Sequence, residues 1–141
     1  MCGEIEPDEL VTGSPAFVIN NTLDFGMLMF DKNQLCPGGL TLFNEPNLGG
    51  NSKYSEVFAY EMLYRCELAT LLKTEANIVY AVEGKKTDFL AEIDGLKVGV
   101  SVTRAYKYMA PFTTNDALAL LTKKLSDINQ STQNVAPDRK S

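Results

Sequence analysis

From Lys85 to Thr103, apolar and polar residues alternate on both sides of Asp94-Gly95. Such alternation marks a half-buried strand, and Asp-Gly between two such runs is a strong signal for a two-residue hairpin. Counting outward from the turn sets Ile93 against Leu96, Glu92 against Lys97, Leu90 against Gly99 and Asp88 against Ser101. Side chains alternate between the faces of a strand. One face is therefore wholly apolar, with Phe89, Ala91, Ile93, Leu96, Val98, Val100 and Val102. The other carries Asp88, Leu90, Glu92, Lys97, Gly99, Ser101 and Thr103, and it holds the polar groups available for chemistry.

A helical period precedes the hairpin. After Asn51 or Ser52 as cap, no Gly or Pro interrupts Lys53 to Lys73, and Val57, Tyr60, Tyr64, Leu68 and Leu71 recur at helical spacing. Asn77 to Val82 reads as a strand, with Glu83-Gly84-Lys85 as the turn into the hairpin. Downstream, Arg104 to Pro111 is a connection. Thr113-x-x-Asp116 has the form of a capping box, and Ala117, Leu118, Leu121, Leu125 and Ile128 define a second amphipathic helix. From Asn129 the composition turns polar and reads as a disordered tail. The first fifty residues form an extension: an acidic leader, short β-rich runs between Ala16 and Phe30, where Leu28-Met29-Phe30 equally suits a helix start, and a loop over 31–50 punctuated by Pro37-Gly38-Gly39. The order helix, strand, strand, strand, helix makes residues 51–128 an α+β core.

Composition narrows the chemistry. At 141 residues the chain is one domain's worth. A net charge of −5 argues against a broadly basic nucleic-acid surface, though not against a local patch. Cys2, Cys36 and Cys66 are odd in number and form no CxxC pair, which signals neither a zinc site nor a disulfide framework and favours a reducing, intracellular compartment, cytoplasmic or nuclear. The N-terminus has no signal-peptide pattern, and no apolar run is long enough for a membrane span. The chain has no histidine. That excludes Ser-His-Asp and Cys-His nucleophile systems and His-ligated zinc, leaving carboxylates, lysines, hydroxyls, thiols and oxygen-bound metals.

Asp88 is the first candidate site, because a strand carboxylate facing a cleft suits Mg²⁺, whereas its alternative role is to cap or solvate the strand. Glu92 opposite Lys97 is most simply a cross-strand ion pair. Glu56, in the first helical turn, is explained by the helix dipole and becomes a ligand only if the helix start lies over Asp88. Cys66 reads as a buried small residue. Arg104, Lys107, Lys123 and Lys124 with Tyr106 and Tyr108 suit a nucleic-acid backbone, with a solvated face as the plainer reading.

With these residues in place, the stretch from Asn51 to about Ile128 resembles the PD-(D/E)xK, or restriction-endonuclease-like, nuclease superfamily, and its resolvase-type members in particular. Glu56 in NSKYSEVFAYEML matches the family's helix glutamate, and Asp88 in KTDFLAEID its second-strand acid. The family's third-strand acid-x-lysine triplet falls on Ser101-Val102-Thr103, in VGVSVTRA. The resemblance thus implies an αβββα core, without the family's last strand, and a degenerate site built from Asp88, Glu56, Ser101, Thr103 and Arg104. Asp88 and Glu56 would hold Mg²⁺, Arg104 or Lys86 would supply the cation, and Glu92 is a candidate migrated carboxylate. Two functions follow as expectations. One is a nuclease-like domain engaging nucleic acid, degenerate or a Mg²⁺-dependent phosphodiesterase. The other is a non-catalytic interaction module that pairs with a protein partner or another copy through the open sheet edge.

Overall fold

The computed structural model describes residues 2–3, 5–10, 15–22, 31–45, 52–78 and 87–134. The β-rich runs expected within 23–30, the cap at Asn51, the turn at 83–85, Lys86, and residues 79–82 of the expected strand lie outside them. The described elements are α1 (Pro37–Asn44), α2 (Ser52–Glu67), β1 (Thr70–Thr74), β2 (Phe89–Ile93), β3 (Leu96–Val100) and α3 (Thr114–Asn134), with short 3-10 turns at Pro7–Leu10, Lys32–Gln34 and Glu75–Asn77. The three strands form one antiparallel sheet in the order β1-β2-β3. The fold is α+β.

The hairpin is as the alternation requires. Ile93 pairs with Leu96, Glu92 with Lys97, Leu90 with Gly99 and Phe89 with Val100. Asp94 and Gly95 both adopt positive φ, 52° and 79°, which the two-residue turn demands. Phe89, Ala91 and Ile93 are fully or almost fully buried. The Phe89 ring meets the edge of Tyr60 from α2, with centroids 5.7 Å apart. Val57, also from α2, is sealed in the same cluster. Each such large side chain contributes about 1.5–3 kcal/mol by leaving water. Leu90, on the supposedly open face, is also buried at 8% exposure, so that face is not uniformly solvated.

Helix α2 stops sooner than its periodicity predicts. Leu68 enters the left-handed region at φ 53°, and its N–H reaches the Tyr64 carbonyl while the Ala69 N–H reaches that of Leu63. The Leu68–Tyr64 bond is that of an αL helix end, with leucine where glycine is usual. Residues 70–73, expected in the helix, belong instead to strand β1, which carries a bulge between Leu71 and Lys73. Leu68, Leu71 and Leu72 fit a helical stripe, yet a short strand bearing two adjacent leucines fits the same spacing. At the expected strand's start, Asn77 lies in a 3-10 turn and Ile78 follows it.

The loop expected over 31–50 contains helix α1, which packs on α2. Pro37 occupies its first turn, and the Cys36 Sγ caps it by accepting the Gly39 N–H. A side chain at Gly38 would strike the Tyr60 ring, and one at Gly39 the Glu61 carboxylate. These glycines therefore mark close helix–helix approach rather than a turn. Cys36 and Leu42 join the core, so the division at residue 50 does not separate an extension from the packed body.

The cysteines also depart from expectation: Cys66 is bonded to Cys2, and Cys36 is a buried free thiol. Disulfides persist in oxidising compartments and are rare in reducing ones. The cysteine count is thus no ground for an intracellular placement. Spacing alone could not reveal the bridge, because its partners are 64 residues apart.

Helix α3 opens with the expected box, in which the Asp116 N–H donates to Thr113 Oγ1 and the Thr113 N–H to Asp116 Oδ2. It runs to Asn134, six residues beyond the expected boundary at 128. Its leucine row is largely exposed rather than packed on the sheet. Among the described residues no helix is long and apolar enough to cross a membrane, and no strand follows α3.

Candidate metal centre

Three carboxylates converge at one end of the sheet. Glu56, Glu75 and Asp88 each offer an oxygen within 4.8 Å of the others. Chain geometry explains the meeting. From Glu56 to the end of α2 the helix rises roughly 16 Å at 1.5 Å per residue, and β1 returns about the same distance at 3.3 Å per residue. Glu75, the residue after β1, is thereby brought back beside Glu56. Thr74 and Phe89 are the last pair of the β1–β2 ladder, so Glu75 and Asp88 are the residues that flank its end.

Asp88 is held at two points by β3 and the residues that follow it. Its N–H donates to the Val100 carbonyl at 3.0 Å, and its Oδ2 accepts the Val102 N–H at 2.7 Å. That carboxylate thus extends the β2–β3 ladder by one rung and is fixed in place by it. Glu56 is half-buried, and its carboxyl is pushed up to about 7, first by burial and then by the negative charges of Asp88 and Glu75. Like charges this close disfavour simultaneous ionisation. A divalent cation would relieve that repulsion, and an all-carboxylate donor set suits a hard, oxygen-seeking ion.

The other sequence candidates divide. Arg104 reaches the neighbourhood, with its Nε donating to Ser55 Oγ at 3.0 Å, one residue from Glu56. Ser101 is half-buried beside the Val102 contact, whereas Thr103 is exposed. Glu92 faces Lys97 four residues along β2 from Asp88 and is no part of the carboxylate cluster. Of the basic and aromatic surface, Tyr106 and Tyr108 are exposed, but Lys107 pairs with Asp116 at 3.4 Å and Lys123 with Asp127 at 2.9 Å. Lys124 Nζ donates to the Val102 carbonyl. These lysines are engaged within the chain.

Glu75 was missed. Its signal lay in the register of β1, and with β1 read as helix, Glu75 had no defined position relative to Asp88.

A second buried carboxylate does structural work. Glu61, fully buried, accepts the Cys36 N–H at 2.7 Å and pairs with Arg65 at 3.1 Å. Arg65 in turn donates to the Gln34 carbonyl at 3.0 Å. Burial raises the Cys36 thiol, and Glu61 raises it further, so the thiol is held in its unreactive form.

No family model matches the chain, and no solved structure matches it. The chain is similar to the AAC-rich mRNA clone AAC4 protein of Dictyostelium discoideum, at 35% identity over 145 residues covering 95% of this chain. It spans only 19% of that relative's length.

Proposed function

We propose that this chain is a nuclease-like domain that binds a divalent cation of the Mg²⁺ class and engages nucleic acid through it, with a degenerate catalytic apparatus. The observation that carries this reading is the convergence of Glu56, Glu75 and Asp88, with Glu56 held up to about 7. The order α2-β1-β2-β3-α3, with an acid in the first helix and another at the head of the second strand, supports the restriction-endonuclease-like reading of the fold. The three carboxylates would hold the cation, which when bound supplies Lewis acidity and a phosphate-binding charge. Arg104, anchored on Ser55, would add positive charge beside it. Ser101 and Thr103 stand where the resembled family carries its acid and lysine, and neither supplies charge or a proton acceptor matched to activating water. Hydrolysis is therefore expected to be lost while binding remains.

The test is salt-dependent binding and cleavage of single-stranded and branched DNA with Mg²⁺ or Mn²⁺, beside Asp88→Ala. Cation-dependent binding without cleavage, weakened in the variant, supports the proposal. Cleavage lost in the variant would instead make the domain an active phosphodiesterase, and no cation-dependent binding would refute the nucleic-acid role. A second reading, a protein-interaction module, is favoured by the exposed leucine row of α3.

A further inference from the structure

A groove separates helices α1 and α2 from strand β1. It encloses about 450 Å³ and is lined by the whole run 69–74, by Tyr60 and Tyr64 of α2, and by Asn77. That volume lies within the ~300–1,000 Å³ usual for a site that takes a small molecule. The groove leads to the carboxylates. Glu56, Tyr60 and Tyr64 stand four residues apart on α2 and so share one stripe of that helix. Asn77 ends the 3-10 turn that Glu75 begins. Counted from the end of α2, Tyr64 lies roughly 5 Å along, Lys73 roughly 10 Å, and the Glu56–Glu75 pair roughly 16 Å, by the rise of helix and strand.

The lining suits a ring and an anion. Tyr64 is 40% exposed, which leaves its ring accessible from the groove. Lys73 is half-buried and is the only charged residue of the lining, and among the described residues no carboxylate pairs with it. Lys107, Lys123 and Lys124, by contrast, are engaged within the chain. An ammonium left unpaired in a groove is complemented by a negative group. A peptide strand is the poorer occupant. The bulge between Leu71 and Lys73 and the lysine itself both blunt a sheet edge against pairing, and Tyr60 Oη already donates to the Ala69 carbonyl at the edge's start.

We propose that the groove is a nucleotide subsite, in which a base stacks on Tyr64 and its phosphate meets Lys73. Base stacking on an aromatic side chain is sequence-tolerant and needs an open base face, which a free nucleotide and a single strand both offer and a duplex does not. In a single strand the next phosphate continues toward Glu56 and Glu75. That continuation rests on the cation reading above, whereas the subsite itself does not.

The experiment is fluorescence anisotropy of a labelled oligothymidylate with the full chain, with and without Mg²⁺, competed by thymidine 5′-monophosphate and by a duplex. Saturable binding is expected, at least tenfold weaker in Tyr64→Ala and restored in Tyr64→Phe. Lys73→Gln should weaken it and lower the slope of log affinity against log salt by about 0.7, the share of one phosphate, with recovery in Lys73→Arg. A monophosphate that competes as well as the oligomer marks the free nucleotide as the ligand, and a far weaker one marks the strand; either supports the subsite. Tyr64 is exposed and Lys73 unpaired, so the variants should keep the parent's circular dichroism. Should Tyr64→Ala misfold, Tyr64→Gln, which keeps a long side chain without the ring, must weaken binding as much. Asp88→Asn separates the two readings, because it should remove any Mg²⁺ dependence and leave the Tyr64 and Lys73 effects in place. Mg²⁺-independent binding that is sensitive to both residues supports the subsite while denying the cation its part. No saturable binding, binding unchanged in both Tyr64→Ala and Lys73→Gln, or a duplex that competes as well as the single strand overturns the proposal.

Discussion

The carboxyls of Glu56 and Asp88 come within 4.8 Å of each other across the gap between helix α2 and the head of β2, although 32 positions separate them in the chain. Neither is placed by its immediate neighbours alone. Glu56 arrives because α2 lies over the sheet, and Asp88 because the β2–β3 ladder continues one rung past Phe89.

Stability should therefore depend on pH through Glu56. Its folded value, about 7, lies above the ordinary value of 4.5, so between these the folded chain holds a proton that the unfolded chain has released. The contribution is full at pH 4.5 and below and is lost as pH rises through about 7. The shift corresponds to about 3 kcal/mol if fully expressed, and to about 1–2 kcal/mol once solvent screening is allowed for. Urea denaturation across pH 4.5–8 should show this loss in the parent and a flatter profile in Glu56→Gln. Saturating Mg²⁺ should flatten the parent's profile as well, because a bound cation favours the ionised carboxyl.

Two substitutions at Asp88 separate structure from binding. Asp88→Ala removes the acceptor for the Val102 N–H and should cost about 1–3 kcal/mol in denaturant midpoint analysis. In Asp88→Asn the side-chain oxygen can still accept that hydrogen bond while the charge is gone. It should stay within about 1 kcal/mol of the parent yet lose most cation affinity.

Leu68 closes α2 in a left-handed conformation while 80% exposed, a combination that packing does not reward. Leu68→Gly relieves the backbone strain, partly offset by the extra freedom of the unfolded chain, and should raise stability by about 0.5–1 kcal/mol. A lowered midpoint would mean that this leucine makes a contact worth more than the strain.

The same residue shows where the sequence was legible and where it was not. The hairpin could be read from Asp94-Gly95 because a two-residue turn sets register locally. Glu56 and Asp88 were legible as candidates because a helix start and a strand head are local features too. The end of α2 was not, since no Gly or Pro marks it and the closure depends on Leu68 tolerating a positive φ. From that followed the misplacement of β1 and the loss of Glu75 from the site. Helix α1 stayed hidden because Gly38 and Gly39 answer to Tyr60 and Glu61, which lie more than twenty residues away in the chain.

The buried Glu61 should be structurally indispensable. Glu61→Ala leaves the Cys36 N–H without its acceptor and opens a cavity between α1 and α2, at a cost of about 2–3 kcal/mol. Glu61→Gln, which can still accept that hydrogen, should recover most of the loss in thermal unfolding.

Reducing the Cys2–Cys66 bridge frees the ends of a long loop, and the chain-entropy model puts the cost at about 4 kcal/mol as an upper value. Thermal unfolding with and without dithiothreitol should show a clear drop in the parent and none in Cys2→Ser.

The sharpest test of the carboxylate centre is calorimetric titration of Mg²⁺ near pH 6, in buffers of differing ionisation enthalpy. At that pH most Glu56 side chains carry a proton, so cation binding must expel it. One ion per chain, with most of a proton released in the parent, no release in Glu56→Gln and little binding in Asp88→Asn, is the result expected. An absence of saturable heat, or equal affinity in the parent and Asp88→Asn, would show that these three acids do not form a cation site.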